Sequence, residues 1–421
     1  MSTPREQVER IYREAVMAAD PRVRVREALR LDESGEFLTA AGESIDLEGR
    51  GVYLIAVGKA GAAMATGALD ALGERVQAGV VVTKEPAEVR HAAIEVLQGA
   101  HPVPDERSLA AGQAVLELAA SVPEGAVVLC LISGGGSALA EALREGVSLD
   151  DLQGLTRKLL EAGASINELN AVRSRLSRIK GGGLLSALRH ARVVNLIVSD
   201  VLGDDLQTIA SGPTVPRAER LVAEDVLARF GIDARLPDGD TGDGGVEPLA
   251  TEIVANVDTA IDAAAIAAQS LGLNPVVVTN RLEGEAKVAG ALIASMLANH
   301  ARPFSAFPPG SCLLAGGETT VTVRGDGQGG RNTEAALAAA IALSGTHGLT
   351  AAFLATDGDD GTTGAAGAIV DGATIQQSEI KRAAAALARN DSFGFLSGTG
   401  AVWSPGATGT NVNDLVIGIV E

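Results

Sequence analysis

Short runs of β-branched and apolar residues recur along the chain, separated by Ala- and Leu-rich stretches of helical period. The runs predict strands at 52–57, 79–83, 94–97, 127–132, 193–199, 276–279, 312–315, 352–355 and 414–420. The intervening stretches, among them 110–121 and 333–343, predict helices. Strand–helix alternation with continuously apolar strands argues for an α/β fold, its sheets largely parallel and covered by helices on both faces. The periodicity breaks at 237–245 (PDGDTGDGG), an acidic, Gly-rich segment that reads as a linker or long surface loop. At 421 residues the chain is long for one core, so the break predicts two domains, 1–240 and 241–421, with about five and about four strands.

Composition refines this picture. Aromatics make up only 2% of the chain while Gly numbers 51, so the core is packed from Val, Leu, Ile and Ala. The net charge of −19 excludes a long polyanion such as DNA or RNA, and disfavours an acidic lipid surface, because such binding needs Lys and Arg to neutralise phosphates. A small anion remains open if the few cations gather in one cleft. Cys130 and Cys312 sit in apolar runs and read as buried, reduced thiols; without a CxxC pair, no zinc site or disulfide framework is indicated. The first residues are charged and helix-like with no apolar signal core, and no run reaches the length of a membrane span, so the sequence reads as cytosolic. Homo-oligomerisation is left open.

Ligands of open α/β sheets bind beyond the carboxyl ends of the strands, so residues directly after each strand carry the candidates. Gly58 and Lys59 end one strand and open a helix, which sets a cation beside free N–H groups. Ser133, Gly134, Gly135, Gly136 and Ser137 follow another strand. Three successive glycines lose much entropy on ordering, and they suggest a nest of N–H groups around a phosphate or carboxylate. Asn170, Arg173, Ser177 and Lys180 are spaced to share one helical face, in a segment with four cations in eight residues. Asp200 and Asp204 follow the strand at 193–199, where carboxylates can hold Mg²⁺ or accept a proton. In the second half Glu318, then Arg331 and Asn332 at the start of a helix, then Asp357 occupy equivalent places. His101, in a loop fixed by Pro102 and Pro104, reads as structural. Cations, backbone donors and acids together form the inventory of phosphoryl transfer.

At these residues the sequence resembles the class II glycerate 2-kinases, whose C-terminal part is called the MOFRL domain. The matching stretches include VGKAGAAMA (57–65), GAHPVPDERS (99–108), LISGGGSALAE (131–141), LNAVRSRLSRIKGG (169–182), VSDVLGDDLQTIASGPTVP (198–216), GGETTVTVRGDGQGGRN (316–332), TDGDDGTTGAAGAIVD (356–371) and GTNVNDL (409–415). The resemblance implies ATP- and Mg²⁺-dependent phosphorylation of the C2 hydroxyl of D-glycerate to 2-phosphoglycerate. It implies a Rossmann-like first domain, a MOFRL-like core at about 310–415 of the second, and an active site in the cleft between them.

Carried over by position, Lys59 and Arg331 are expected to face the reacting groups and to stabilise the transferring phosphoryl. Asp200 or Asp204 accepts the hydroxyl proton or holds the metal, with Asp357 a further metal candidate. Gly58, Ser133–Ser137, Arg173, Lys180, Glu318 and Asn332 are expected around the nucleotide or the glycerate carboxylate. The sequence departs from the family at Arg173-Ser174-Arg175-Leu176-Ser177, commonly Arg-Lys-His-Leu-Ser, and at Gly364, which stands where the family has Asp; Asp359 is an extra acid nearby. Two rival readings are an NAD(P)H-dependent hydroxypyruvate reductase, which lacks the support of a GxGxxG, and a non-catalytic sensor of small phosphorylated acids.

Overall fold

A computed structural model of the chain describes residues 2–216, 222–237, 246–361 and 363–421. Beyond Pro237, the expected linker lies outside the described residues. The protein is α/β and divides into two compact units. One is Pro21–Val254; the other joins the residues up to Asp20 to Ala255–Glu421.

The Pro21–Val254 unit opens with a small antiparallel meander, β1 (Leu29–Leu31), β2 (Phe37–Ala40) and β3 (Glu43–Asp46). Its main sheet contains β4 (Val52–Val57), β5 (Val76–Thr83), β6 (Ile94–Gln98), β7 (Val127–Ser133), β8 (Arg192–Val198) and β9 (Ala250–Ala255). The order is β6-β5-β4-β7-β8-β9, and β6 through β8 run parallel. Strand order reverses beside β4, so the carboxyl ends of β4 and β7 form the crevice where such sheets bind ligands. Both strands are buried almost throughout, which is why they read as unbroken apolar runs. A second, helical core gathers Leu152, Leu155, Leu159, Leu169, Val172, Val226 and Leu227, and makes a lobe separate from the sheet's own core. Both lobe helices at 149–161 and 166–176 begin with a Ser capping box, at Ser148 and Ser165.

The other unit holds β10 (Asn274–Leu282), β11 (Ser311–Gly317), β12 (Leu349–Ala355), β13 (Gly367–Asp371), β14 (Val402–Trp403) and β15 (Asp414–Val420), in the order β10-β11-β15-β12-β13-β14. Only β10 and β11 pair in parallel; β15 runs antiparallel between β11 and β12, and β13 and β14 continue antiparallel. Apolar periodicity marks a strand without giving its direction, and the short β13 and β14 carried no separate signal. The helix Pro4–Ala18 belongs to this unit, where a single break near 240 had placed it with the first domain. Its buried face is Val8, Ile11, Tyr12 and Ala15; Tyr12 donates its hydroxyl to the Ala355 carbonyl (2.7 Å) and meets the Trp403 ring edge-on at 4.7 Å. An amphipathic pattern shows that a helix has a partner, not which one. Cys130 and Cys312 are buried and free, their thiols pushed up to about 12 by burial. Among the described residues no helix is long and apolar enough to cross a membrane.

Candidate active site

The turns after β4 and β7 are built as one object. Lys59 donates its backbone N–H to the Gly134 carbonyl (2.9 Å), and Ala60 donates its own to Ser133 Oγ (3.1 Å). Gly58 lies against Ser133 at φ +139°, so close that a side chain there would overlap the serine. A Cβ on Gly134 would overlap the Asp200 carboxylate; one on Gly135 would lie 3.1 Å from His101 and 3.2 Å from the Lys59 stem; one on Gly136 would lie 2.9 Å from Ala210. Each glycine therefore admits a different neighbour, and their rigid packing answers the entropy argument that singled them out. The Lys59 side chain remains exposed above this platform.

Asp200 is half-buried beneath it. Burial raises its carboxyl above the ordinary value, and the charge of Lys59 offsets part of that rise. His101, which read as structural, flanks the same loop; burial, then the charges of Lys59 and Lys84, lower its pKa. Ser133 is buried, and its hydroxyl ties the two turns together. Asp204 lies in the following turn with φ +56°.

The basic helix is shorter than its spacing implied. It spans Ile166–Leu176, and Ser177 is already extended, so Lys180 is not on a helical face with Arg173. Lys180 is wholly buried and ion-paired to Glu141, whose other oxygen accepts from Ser177 Oγ (2.6 Å). Burial lowers the Lys180 pKa to about 8 against the opposing charge of Glu141. Arg173 is also largely enclosed. It donates to the Ser137 carbonyl (3.4 Å), while its Nε has no hydrogen-bond partner. Ser137 Oγ meets Ser211 Oγ at 2.8 Å, and Ser211 donates to Asn170 Oδ1 (2.9 Å). Ala210, Ser211 and Gly212 all have positive φ. The two non-glycine residues are strained, and N–H donation from Gly181 to Ser211 O and from Gly182 to Gly212 O holds the turn in place.

In the other unit Arg331 opens the helix Arg331–Leu343. Its guanidinium grips Asp414 through Nε (2.5 Å) and Nη2 (3.0 Å), and Glu318 through Nη1 (2.6 Å). Burial works against its charge, but the Asp414 hydrogen bonds and the charges of Asp414, Glu318 and Asp360 outweigh it and hold the pKa above the ordinary value. The helix N-terminus is taken by Asp360, which accepts from Asn332 N (2.9 Å), Thr333 N (2.8 Å) and Thr333 Oγ1 (2.9 Å). Asn332 is accordingly buried. Asp357 Oδ1 accepts from Asp359 N (3.1 Å), and Asp359 Oδ1 from Gly364 N (3.1 Å). The extra acid thus ties down the glycine that stands where the family has Asp. Glu141, Asp360 and Asp414 escaped sequence reading, since their partners lie 39, 27 or 28, and 83 residues away.

Among the described residues no group of three or more His, Cys, Asp or Glu could hold a metal ion.

Residues 7–239 match the family model described as a domain of unknown function, DUF4147, and residues 311–414 match that of the MOFRL family. A D-glycerate 2-kinase of Thermotoga maritima is 42% identical over 382 residues, which cover 88% of this chain and 90% of the relative. A protein of Agrobacterium vitis named a putative hydroxypyruvate reductase is 37% identical over 98% of this chain and 93% of its own. The crystal structure of a Thermotoga maritima glycerate kinase superposes with a TM-score of 0.86 at 38% identity, covering 99% of both chains.

Proposed function

The chain belongs to the glycerate kinases that combine a DUF4147 domain with a MOFRL domain, and from that premise we propose how its residues divide the work. The activity is that of a glycerate 2-kinase: transfer of a phosphoryl group from a nucleotide to the C2 hydroxyl of glycerate. ATP is the proposed nucleotide.

The observation that carries the assignment is Lys59. It is an exposed cation on a close-packed glycine platform at the sheet's switch point, beside a carboxylate raised by burial. Lys59 neutralises charge developing on the phosphoryl oxygens. Asp200 accepts the proton of the C2 hydroxyl, for which a raised pKa suits a base working near neutrality. Arg173, half-buried and with its Nε unpaired, holds the carboxylate of glycerate or a phosphate oxygen across the Ser137 loop. Asp204 would hold Mg²⁺, which when bound would supply charge neutralisation to the phosphates of the nucleotide. Lys180 positions rather than binds, because its charge is spent on Glu141 inside the protein. Arg331 positions rather than reacts, because its guanidinium is already held by Asp414 and Glu318.

Purified protein with ATP, Mg²⁺ and D-glycerate, coupled to enolase, tests the reading. Enolase accepts 2-phosphoglycerate, so signal without added mutase identifies the product. NADH loss with hydroxypyruvate alone would instead identify a reductase. Saturable binding without turnover would identify a sensor.

A further inference from the structure

A cleft of about 1440 Å³ opens in the Pro21–Val254 unit, between the helical lobe and the layer on the parallel sheet. It contains none of the residues placed at the active site. Arg144, Arg178 and Arg189 line it from the sheet side, Lys158 and Arg235 from the lobe. These five cations face four acids, in a chain where 53 acids outnumber 34 cations. One of those acids, Asp151, is turned onto the Ser148 backbone and hydroxyl as a helix cap.

Elsewhere in the unit several exposed arginines carry acids as partners, Arg22 with Asp70, Arg90 with Glu88, Arg107 with Asp105 and Arg229 with Glu168, while Arg26, Arg30 and Arg157 have no ion pair among the described residues but do not converge on a cleft. Lys158, Arg178, Arg189 and Arg235 have no side-chain hydrogen bond or ion pair among the described residues. Cations without partners converging on one cleft focus a positive potential within an acidic protein.

We propose that this cleft is a second anion site, which takes a small molecule bearing two or more phosphate or carboxylate charges. Its floor adjoins the catalytic loop through one ribbon. Arg144 N donates to Leu176 O (2.9 Å) and Arg178 N to Ala142 O (2.7 Å), while Glu141 and Ser177 on the same two strands make the buried Lys180 network. A ligand held by Arg144 and Arg178 therefore grips the segment that carries Glu141 and leads back to Ser137.

Titration calorimetry of the full chain with magnesium-free inorganic pyrophosphate tests the proposal. The wild type is expected to show two binding events, of which Lys59→Ala removes one. The Arg178→Ser/Arg189→Ser variant is expected to weaken the other by about tenfold or more, the effect of losing charged hydrogen bonds, with glycerate kinase turnover kept within about twofold. Should that variant fail to fold, Lys158→Ser/Arg235→Ser on the lobe side gives the same reading. Pyrophosphate binding unchanged in the folded cleft variants overturns the proposal, as does its complete loss in Lys59→Ala.

Discussion

The Lys59 platform and the Arg331 cluster each present a cation at a strand-to-helix junction, yet they differ in how that charge is satisfied. Arg331 is saturated by Asp414 and Glu318, and the helix N-terminus beside it is filled by Asp360. Lys59 is exposed with no carboxylate on its ammonium among the described residues, and its neighbour Asp200 bears a desolvation that raises its pKa. A cation saturated by carboxylates stabilises the fold; an exposed one is held ready for a ligand. The contrast separates loss of chemistry from loss of structure, and substitutions on each side test it.

Asp200→Asn is expected to show the largest effect, a loss of about 10²- to 10⁴-fold in kcat, the range for a general base. Because a base must be deprotonated, wild-type kcat/KM should fall as pH drops through a value above the ordinary carboxylate range, and this limb should vanish in the residual activity of the variant. Its melting temperature should hold or rise, since removing a buried carboxylate whose folded pKa is raised removes a destabilising charge at neutral pH. A variant that melts early would place Asp200 among the structural acids instead. Next, Lys59→Ala should lose about 10²- to 10³-fold in kcat with unchanged thermal stability. Full activity would remove Lys59 from the mechanism.

Arg331→Ala should behave differently, losing about 2–3 kcal/mol of stability as Asp414 is left buried without its partner. Chemical denaturation measures it, and an Arg331→Ala protein as stable as wild type would erase the contrast between the two regions. Asp360→Ala is expected to cost least, about 1–2 kcal/mol, as for loss of a helix cap, with a lower melting temperature but a near-normal KM for glycerate.

Much of the first region was legible because its parts are local. The β4 strand was read to the residue, and Lys59 and the glycines follow their strands directly. What those glycines are for was not legible, since the atoms they admit belong to Asp200, His101 and Ala210. The second region was less so. Arg331 reads as a free cation at a helix start until β15 brings Asp414 beside it from 83 residues away. Lys180 failed for a related reason: spacing along a presumed helix cannot reveal that the helix ends at Leu176, or that Glu141 waits below.

The placement of the helix Pro4–Ala18 has a consequence for how the chain is made. The Pro21–Val254 unit is continuous, and its two ends meet where Arg24 Nε donates to the Val254 carbonyl (3.1 Å). It can therefore fold on the ribosome as soon as it emerges. The helix Pro4–Ala18 stays without its main partner until the helix Val257–Ser270 has been translated, and without Ala355 and Trp403 until later still. Residues 21–254 expressed alone should be self-contained, whereas a chain starting at 255 would expose the surface that Tyr12 covers.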